Sequence, residues 1–134
     1  MPKKPLNEVN NRLLCCMNTA LQRKAKDLVA MKVKAISSFA DYFVICSGTS
    51  DRQVRSIANW IEENLKKAGM PPMGIEGVQN GQWVLMDYGD IVIHIFYEPI
   101  RAFYDIERLW SDAPKMAVDD DTLEIKALPE DMAD

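Results

Sequence analysis

Two apolar, β-prone segments separated by three residues constrain the fold of this chain more than any other feature. The segments are residues 83–87 and 91–96, and Tyr88, Gly89 and Asp90 connect them. A connection this short can join only neighbouring antiparallel strands, and Gly89 supplies the positive φ that a tight turn needs. The chain therefore contains a β-hairpin, around which the other elements have to be arranged.

Three helices are predicted from hydrophobic positions that recur with helical spacing. They cover residues 7–23, 51–68 and 102–110. Ser50 followed three residues later by Gln53 is typical of a capped helix start, and Gly69 is typical of a helix end. Pro99 is expected to end the last strand before the third helix.

Three more strands are predicted outside the hairpin. Residues 27–35 alternate between apolar and more polar side chains, which indicates a strand with one partly wet face, whereas residues 42–46 are continuously apolar and indicate a strand buried on both faces. Residues 73–78 predict a short strand. The element order αββαβββα favours an α/β fold of the mixed α+β kind, with a five-stranded mixed sheet flanked by helices.

The length of 134 residues suits one domain, which can bury a core without a metal or a disulfide. No run of 18 apolar residues is present, so the sequence predicts no membrane-spanning helix. Cys15 and Cys16 are adjacent and Cys46 stands alone, a pattern that favours reduced thiols. Lys3 and Lys4 are not followed by an apolar signal segment. We therefore expect a cytoplasmic protein.

Charge divides the chain into three parts. Residues 1–26 carry a net +5, residues 27–115 a net −3 and residues 116–134 a net −6, which together give −4. We interpret these parts as an N-terminal basic helix, an α/β domain and an acidic, disordered tail, and an interaction tail stays open as the alternative for the last part. The negative total argues against a general nucleic-acid-binding protein, which is usually basic.

The polar residues predict no catalytic group and no metal or cofactor site. His94 is the single histidine and lies in an apolar strand without other ligands at metal-binding spacing, so we expect a hydrogen-bonded core or interface residue. A pH-sensitive or catalytic role of His94 stays open as the alternative. The turn from Ser47 to Ser50 precedes a helix and could bind an anion, although its spacing matches neither a P-loop nor a dinucleotide fingerprint. A nucleotide-binding or nucleotidyltransferase-type enzyme that uses this turn stays open as an alternative. Asp87 and Asp90 flank a turn and are not placed like a pair that holds two metal ions.

Aromatic residues are concentrated towards one part of the sequence. Seven of the eleven lie within residues 83–110, together with Arg101 and Arg108. A hairpin and one short helix can bury only some of them in a core of this size. Tyr, Trp and Arg are typical anchors of protein interfaces, so one interpretation is an exposed patch for a protein partner. The other interpretation, that most of these rings are core, stays open.

Several segments in fixed order resemble one known family. They are residues 41–50 (DYFVICSGTS), 52–54 (RQV), 76–77 (EG), 83–96 (WVLMDYGDIVIHIF) and 101–110 (RAFYDIERLW). Over residues 27–114 the chain is similar to the ribosomal silencing factors, called RsfS or Iojap. One departure is Gln53, where many relatives have histidine.

The resemblance implies a fold like that of the nucleotidyltransferase superfamily without its catalytic acids, and a protein that is not an enzyme. It also implies binding to the large ribosomal subunit through the fourteenth large-subunit ribosomal protein. Such a factor blocks association with the small subunit and represses translation under nutrient limitation. No membrane and no sequence-specific nucleic acid is expected as a partner, and a homodimer of the free protein stays open.

The resemblance further implies a contact surface on the hairpin and the segment after it. The implied partner-binding residues are Trp83, Tyr88, Asp90, His94, Tyr104, Leu109 and Trp110. Acidic residues lie among these anchors in the sequence, namely Asp87, Asp90, Asp105 and Glu107. Opposite charge would speed the encounter with a basic ribosomal protein.

Overall fold

The structure is a computed structural model that describes residues 8–134, and the predicted hairpin forms part of its sheet. The strands are β1 (Lys26–Lys32), β2 (Tyr42–Gly48), β3 (Gly74–Glu76), β4 (Trp83–Asp87), β5 (Ile91–Tyr97) and β6 (Lys115–Ala117). The helices are α1 (Val9–Gln22), α2 (Asp51–Lys67), α3 (Glu98–Tyr104) and the 3₁₀ helix Ile106–Trp110. The mixed α/β class is confirmed.

The strands form one mixed sheet in the order β3-β4-β5-β2-β1-β6. Strands β2 and β5 are parallel, whereas all other neighbouring pairs are antiparallel. In the predicted hairpin Trp83 is opposite Phe96 and Asp87 is opposite Val92, and Gly89 has a φ of 88°. Strand β2 is almost wholly buried, as its continuous apolar run predicts.

Helices α1 and α2 cover one face of the sheet and enclose the main core. The predicted face of α1 is buried, and so is the apolar stripe of α2. Ser50 caps α2 by accepting a hydrogen bond from the backbone N–H of Gln53, as the sequence predicts. Helix α3 and the 3₁₀ helix lie on the opposite face, where a second and smaller core forms.

The sheet has six strands, so the prediction of five is wrong. The additional strand, β6, pairs with β1 from Val29 opposite Ala117 to Met31 opposite Lys115. Val29 packs in the second core and Ala30 in the main core, so both are buried, and only Lys32 at the end of β1 keeps the partly wet face that the alternating pattern predicts. Three residues are too few to give a period in the sequence, which is why β6 was not predicted.

The segment after residue 115 differs from the expected disordered tail. Its apolar residues Val118, Ile125 and Met132 are buried in the main core. The hydroxyl of Tyr42 donates to the carbonyl of Met132 at 2.5 Å, and Lys32 Nζ donates to the carbonyl of Ala133 at 2.6 Å. Acidic residues separate these anchors in the sequence, so composition alone indicates disorder although the anchors are sufficient to dock the chain.

The third helix differs from the predicted residues 102–110. Helix α3 begins at Glu98, because Pro99 is compatible with the first helical turn as well as with the end of a strand. It ends at Asp105, which has a left-handed backbone with φ 44°. The chain then continues as a 3₁₀ helix in a new direction. One predicted helix is therefore two short ones.

Candidate functional site: an aromatic face on the sheet

Aromatic rings from five elements pack together on the sheet face opposite α1 and α2. We call this surface the aromatic face; it comprises Phe43, Trp83, His94, Phe96, Phe103, Tyr104, Leu109 and Trp110. Trp83 stacks on Phe96 with ring centroids 4.9 Å apart, and the Tyr104 ring lies 5.1 Å from Trp83. The Phe43 ring lies 5.1 Å from His94 and 5.4 Å from Trp110. Five of these eight side chains belong to the expected contact set.

The register of the hairpin produces this grouping. Trp83, Leu85 and Asp87 point to one side of β4, because alternate residues of a strand share a face. The residues opposite them on β5 are Phe96, His94 and Val92. The intervening residues of both strands enter the main core. A shift of one residue would therefore exchange the aromatic face with the core.

Large apolar side chains on this face are open to solvent. Tyr104 is 52% exposed, Leu109 76% and Phe103 79%. The Phe103 and Tyr104 rings lie 5.1 Å apart, and Leu109 belongs to the 3₁₀ helix that follows them. Grouped exposed apolar side chains mark a protein-binding site more often than single exposed residues do.

His94 lies beneath the exposed rings and is 6% exposed. Its Nδ1 accepts a hydrogen bond from the indole N–H of Trp83 at 3.1 Å, and its Nε2 is buried without a hydrogen-bond partner in residues 8–134. Burial lowers the pKa of His94 to about 4. The ring is therefore neutral at pH 7, and it supports Trp83 from within the face.

The structure separates two of the expected contact residues from the others. Tyr88 is buried in the main core, on the α1 and α2 side of the sheet. Asp90 forms an ion pair with Arg12 of α1, in which Arg12 Nη1 donates to Oδ2 at 2.9 Å. Both residues lie in or beside the hairpin turn, at the end of β4 that is opposite Trp83. The length of the strand separates them from Trp83 by roughly 14 Å or more. Contact of Tyr88 with a partner does not fit its burial.

Some acidic residues near the aromatic face are exposed to solvent, and others form hydrogen bonds within the fold. Asp105 is exposed, and Glu76 is exposed opposite Leu85 at the edge strand. Asp87 accepts a hydrogen bond from the backbone N–H of Gly89 at 2.8 Å and stabilises the turn. Glu107 accepts from Arg101 Nε at 2.8 Å. The face is thus rimmed by negative charge at two separate places.

Arg101 acts inside the fold, in contrast to its expected place among interface anchors. Its Nη1 donates to the carbonyl of Asp27 at 2.8 Å and to Ser47 Oγ at 2.9 Å, while its Nε pairs with Glu107. These bonds connect α3 to β1, β2 and the 3₁₀ helix. Arg108 is the exposed arginine of the pair.

Three members of the aromatic face, Phe43, Phe96 and Phe103, are absent from the implied contact set, although Phe96 and Phe103 belong to the aromatic cluster noted in residues 83–110. Phe43 lies in a run that is apolar throughout, so the sequence pattern cannot show which face of the sheet its side chain occupies. The pairing of β2 with β5 in the structure determines that face. Phe103 is one residue before Tyr104, and two adjacent aromatic residues at the end of a short helix were the available signal.

The turn from Ser47 to Ser50 has its polar groups occupied. The side-chain oxygen of Gln53 accepts from the backbone N–H of Thr49 at 2.6 Å and from its hydroxyl at 2.9 Å. Ser50 Oγ accepts from the Gln53 N–H, and Ser47 Oγ accepts from Arg101. Gln53 thus closes the turn on itself, which leaves fewer donors to hold an anion.

The described part of the chain, residues 8–134, offers neither a metal site nor a membrane-spanning helix. This part of the chain contains no group of three or more His, Cys, Asp or Glu side chains that could hold a metal ion. None of its helices has the length and apolar character needed to cross a bilayer. Burial raises the pKa of the Cys46 thiol to about 12 and also raises that of Cys16, which disfavours the reactive thiolate.

The chain matches known proteins over most of its length. A family model described as RsfS, ribosomal silencing factor during starvation, matches residues 7–133. Ribosomal silencing factor RsfS of Halalkalibacterium halodurans is 39% identical over 111 residues, which cover 82% of this chain and 95% of that protein. The match includes α1 and the tail, beyond the residues 27–114 on which the resemblance was based.

A mouse protein and a crystal structure extend these similarities. The mouse protein is named mitochondrial assembly of ribosomal large subunit protein 1; it is 34% identical over 115 residues, which cover 82% of this chain and 49% of that protein. A crystal structure of a protein from Bacillus halodurans superposes with a TM-score of 0.71 at 36% identity, and covers 80% of this chain and 97% of that one. The fold is therefore shared with proteins of this group.

Proposed function

The chain belongs to the ribosomal silencing factor family, and from this premise we propose that it binds the large ribosomal subunit through the fourteenth large-subunit ribosomal protein. The bound factor blocks association with the small subunit and represses translation when nutrients are limiting. It acts in the cytoplasm, and it turns over no substrate.

The exposed aromatic face is the observation that carries this proposal. Tyr104 and Leu109 are large apolar side chains in solvent, and Trp83 and Trp110 support them from the second core. Such a cluster is a suitable centre for a protein interface. Asp105 and Glu76 at its edges favour a basic partner, because complementary charge speeds encounter and fixes orientation.

The docking residues that we propose are Trp83, His94, Tyr104, Leu109 and Trp110, with Phe103 added. His94 acts through its neighbours, since it is buried and holds the indole of Trp83. We leave out Tyr88 and Asp90, because the first is in the main core and the second is paired with Arg12.

Steric exclusion is sufficient for the mechanism. A bound protein of this size covers a patch of the subunit surface, and a second particle cannot occupy the same space. The name of the mouse relative connects that protein with the ribosomal large subunit, which supports the choice of subunit here. Repression then depends only on how much of the subunit is occupied.

The test is co-sedimentation of purified protein with large ribosomal subunits, followed by a subunit-joining assay. Tyr104→Ala together with Leu109→Ala is expected to weaken binding about 30-fold or more, because each of these apolar anchors should contribute at least about 1 kcal/mol. The matched control is Phe39→Ala together with Leu123→Ala, which removes equally exposed side chains elsewhere. Equal binding by both double variants would exclude the aromatic face as the docking surface.

A second copy of the chain is the other occupant that we propose for the same surface. The free protein would then form a homodimer that dissociates on binding to the subunit. Analytical ultracentrifugation over a range of concentrations tests this step. The Tyr104→Ala, Leu109→Ala variant should sediment as a monomer at concentrations where the original chain is dimeric.

A further inference from the structure

A groove lined by arginines lies on the outer side of α2, away from the aromatic face. Its volume is about 380 Å³, and its lining includes Arg23, Arg52, Arg55, Asn59 and Trp60. Helix α2 packs on the sheet through its apolar stripe, so this groove and the aromatic face are on opposite sides of the sheet. Both surfaces can therefore be occupied at the same time.

Helical spacing brings the arginines of α2 together. Arg52 and Arg55 are three residues apart, and Asn59 follows four residues after Arg55, so all three lie on one side of the helix. Arg23 comes from the end of α1, which packs beside α2. The groove thus collects three guanidinium groups from two elements.

The indole of Trp60 is held in place within this groove. Its N–H donates to Gln22 Oε1 at 3.0 Å, and the guanidinium of Arg23 lies 4.2 Å from the ring centroid. A cation over an indole is an attractive arrangement. Because the stacked guanidinium is already ordered, it loses less conformational freedom when a further ligand binds to its N–H groups.

The positive charge of the groove is only partly neutralised. In residues 8–134, Arg23 and Arg52 form no salt bridge, and Arg55 has an exposed pair with Asp51 at 3.4 Å. Glu63 at the far end of the groove pairs with Lys67 at 3.4 Å. An anionic ligand would therefore meet an excess of guanidinium groups on a protein whose net charge is −4.

We propose that Arg23, Arg52, Arg55 and Trp60 form a contact site for the phosphodiester backbone of RNA. Guanidinium groups bind phosphate through paired N–H donors, and an adjacent aromatic ring is typical of surfaces that follow single-stranded nucleic acid. The groove is open and does not enclose a ligand, which suits a polymer better than a small nucleotide. The choice of RNA also rests on the proposed function, because a large ribosomal subunit presents RNA around its proteins.

The experiment measures binding of a fluorescein-labelled single-stranded RNA of roughly 12 nucleotides by anisotropy, at several salt concentrations. Arg52→Ala with Arg55→Ala should weaken binding about tenfold and reduce the slope of log K against log salt by about 1.4, since each phosphate contact contributes about 0.7. Lys66→Ala with Lys126→Ala removes the same charge from exposed positions outside the groove and should change binding less than twofold. Circular dichroism verifies that both variants are folded.

Three results would overturn the proposal. They are equal losses in the two double variants, no RNA binding by the original chain at low salt, and displacement of RNA by polyglutamate of the same length. The last would indicate an acidic protein segment as the ligand. The Tyr104→Ala, Leu109→Ala variant separates a failure of this proposal from a failure of the proposed function. It should lose binding to the large subunit and retain binding to RNA.

Discussion

The indole N–H of Trp83 on β4 donates a hydrogen bond to Nδ1 of His94 on β5. The two residues are diagonal neighbours on one face of the hairpin, since His94 is directly opposite Leu85. With Nδ1 as acceptor, the neutral imidazole carries its proton on Nε2. Protonation would place a second proton on Nδ1 and break this bond, so the pair is stable only while His94 is neutral.

Stability should therefore fall in mild acid because of His94. Its pKa is lowered by burial to about 4, whereas the unfolded chain takes up this proton near pH 6.5. Between these values the unfolded state binds more protons, so the free energy of unfolding decreases as pH falls. From pH 7 to pH 5 we expect a loss of about 2 kcal/mol from this group, measured by urea denaturation.

The control for this prediction is His94→Asn, which keeps an acceptor near Trp83 and does not titrate. Protonation of carboxylates contributes equally to both proteins and cancels in the comparison. The original chain should lose about 2 kcal/mol more than the variant over the same pH range. Parallel stability curves would show that His94 does not carry the acid sensitivity.

The ion pair between Arg12 and Asp90 should contribute to stability and leave docking unchanged. Both side chains are more than two thirds buried, and Arg12 contacts both carboxylate oxygens. Asp90→Asn should lower the free energy of unfolding by about 1–2 kcal/mol. Glu63→Gln disrupts an exposed pair with Lys67 and should cost less than about 0.5 kcal/mol. Weaker co-sedimentation of a folded Asp90→Asn protein would return Asp90 to the docking surface.

The C-terminal segment should act as part of the core. Met132 is fully buried and Leu123 is 91% exposed, although nine residues separate them in the same segment. Met132→Ala should cost about 2–4 kcal/mol, whereas Leu123→Ala should stay within about 0.5 kcal/mol. Thermal and urea unfolding of the two variants provide the comparison. Similar stabilities would mean that this segment is detached from the core in solution.

Local sequence signals were sufficient to predict most of the fold. The three-residue connection predicted the hairpin, and Ser50 with Gln53 predicted the start of α2, since both signals act within a few residues. Strand β6 and the packed C-terminal segment could not be predicted in this way. Their partners, Val29 for β6 and Tyr42 for Met132, are about 90 residues away in the sequence.

The sequence predicted most of the residues of the candidate site. It predicted less well which of them lie on the same side of the sheet. Aromatic enrichment identified Trp83, Tyr104 and Trp110, which the structure brings together. It also included Tyr88, because composition cannot show which side of a sheet a turn residue enters. The αL backbone of Asp105, which sets the direction of the last helical turn, has no clear signal in the sequence.

Arg101 should hold the two parts of the aromatic face in position. Its guanidinium contacts Ser47, Asp27 and Glu107, so Arg101→Lys retains the charge but cannot make all of these bonds. We expect a loss of about 1–2 kcal/mol in urea denaturation and weaker binding to large subunits. Arg108→Lys changes an exposed arginine of the neighbouring 3₁₀ helix and should leave both measurements unchanged. Lower stability with full subunit binding in Arg101→Lys would show that docking tolerates displacement of α3.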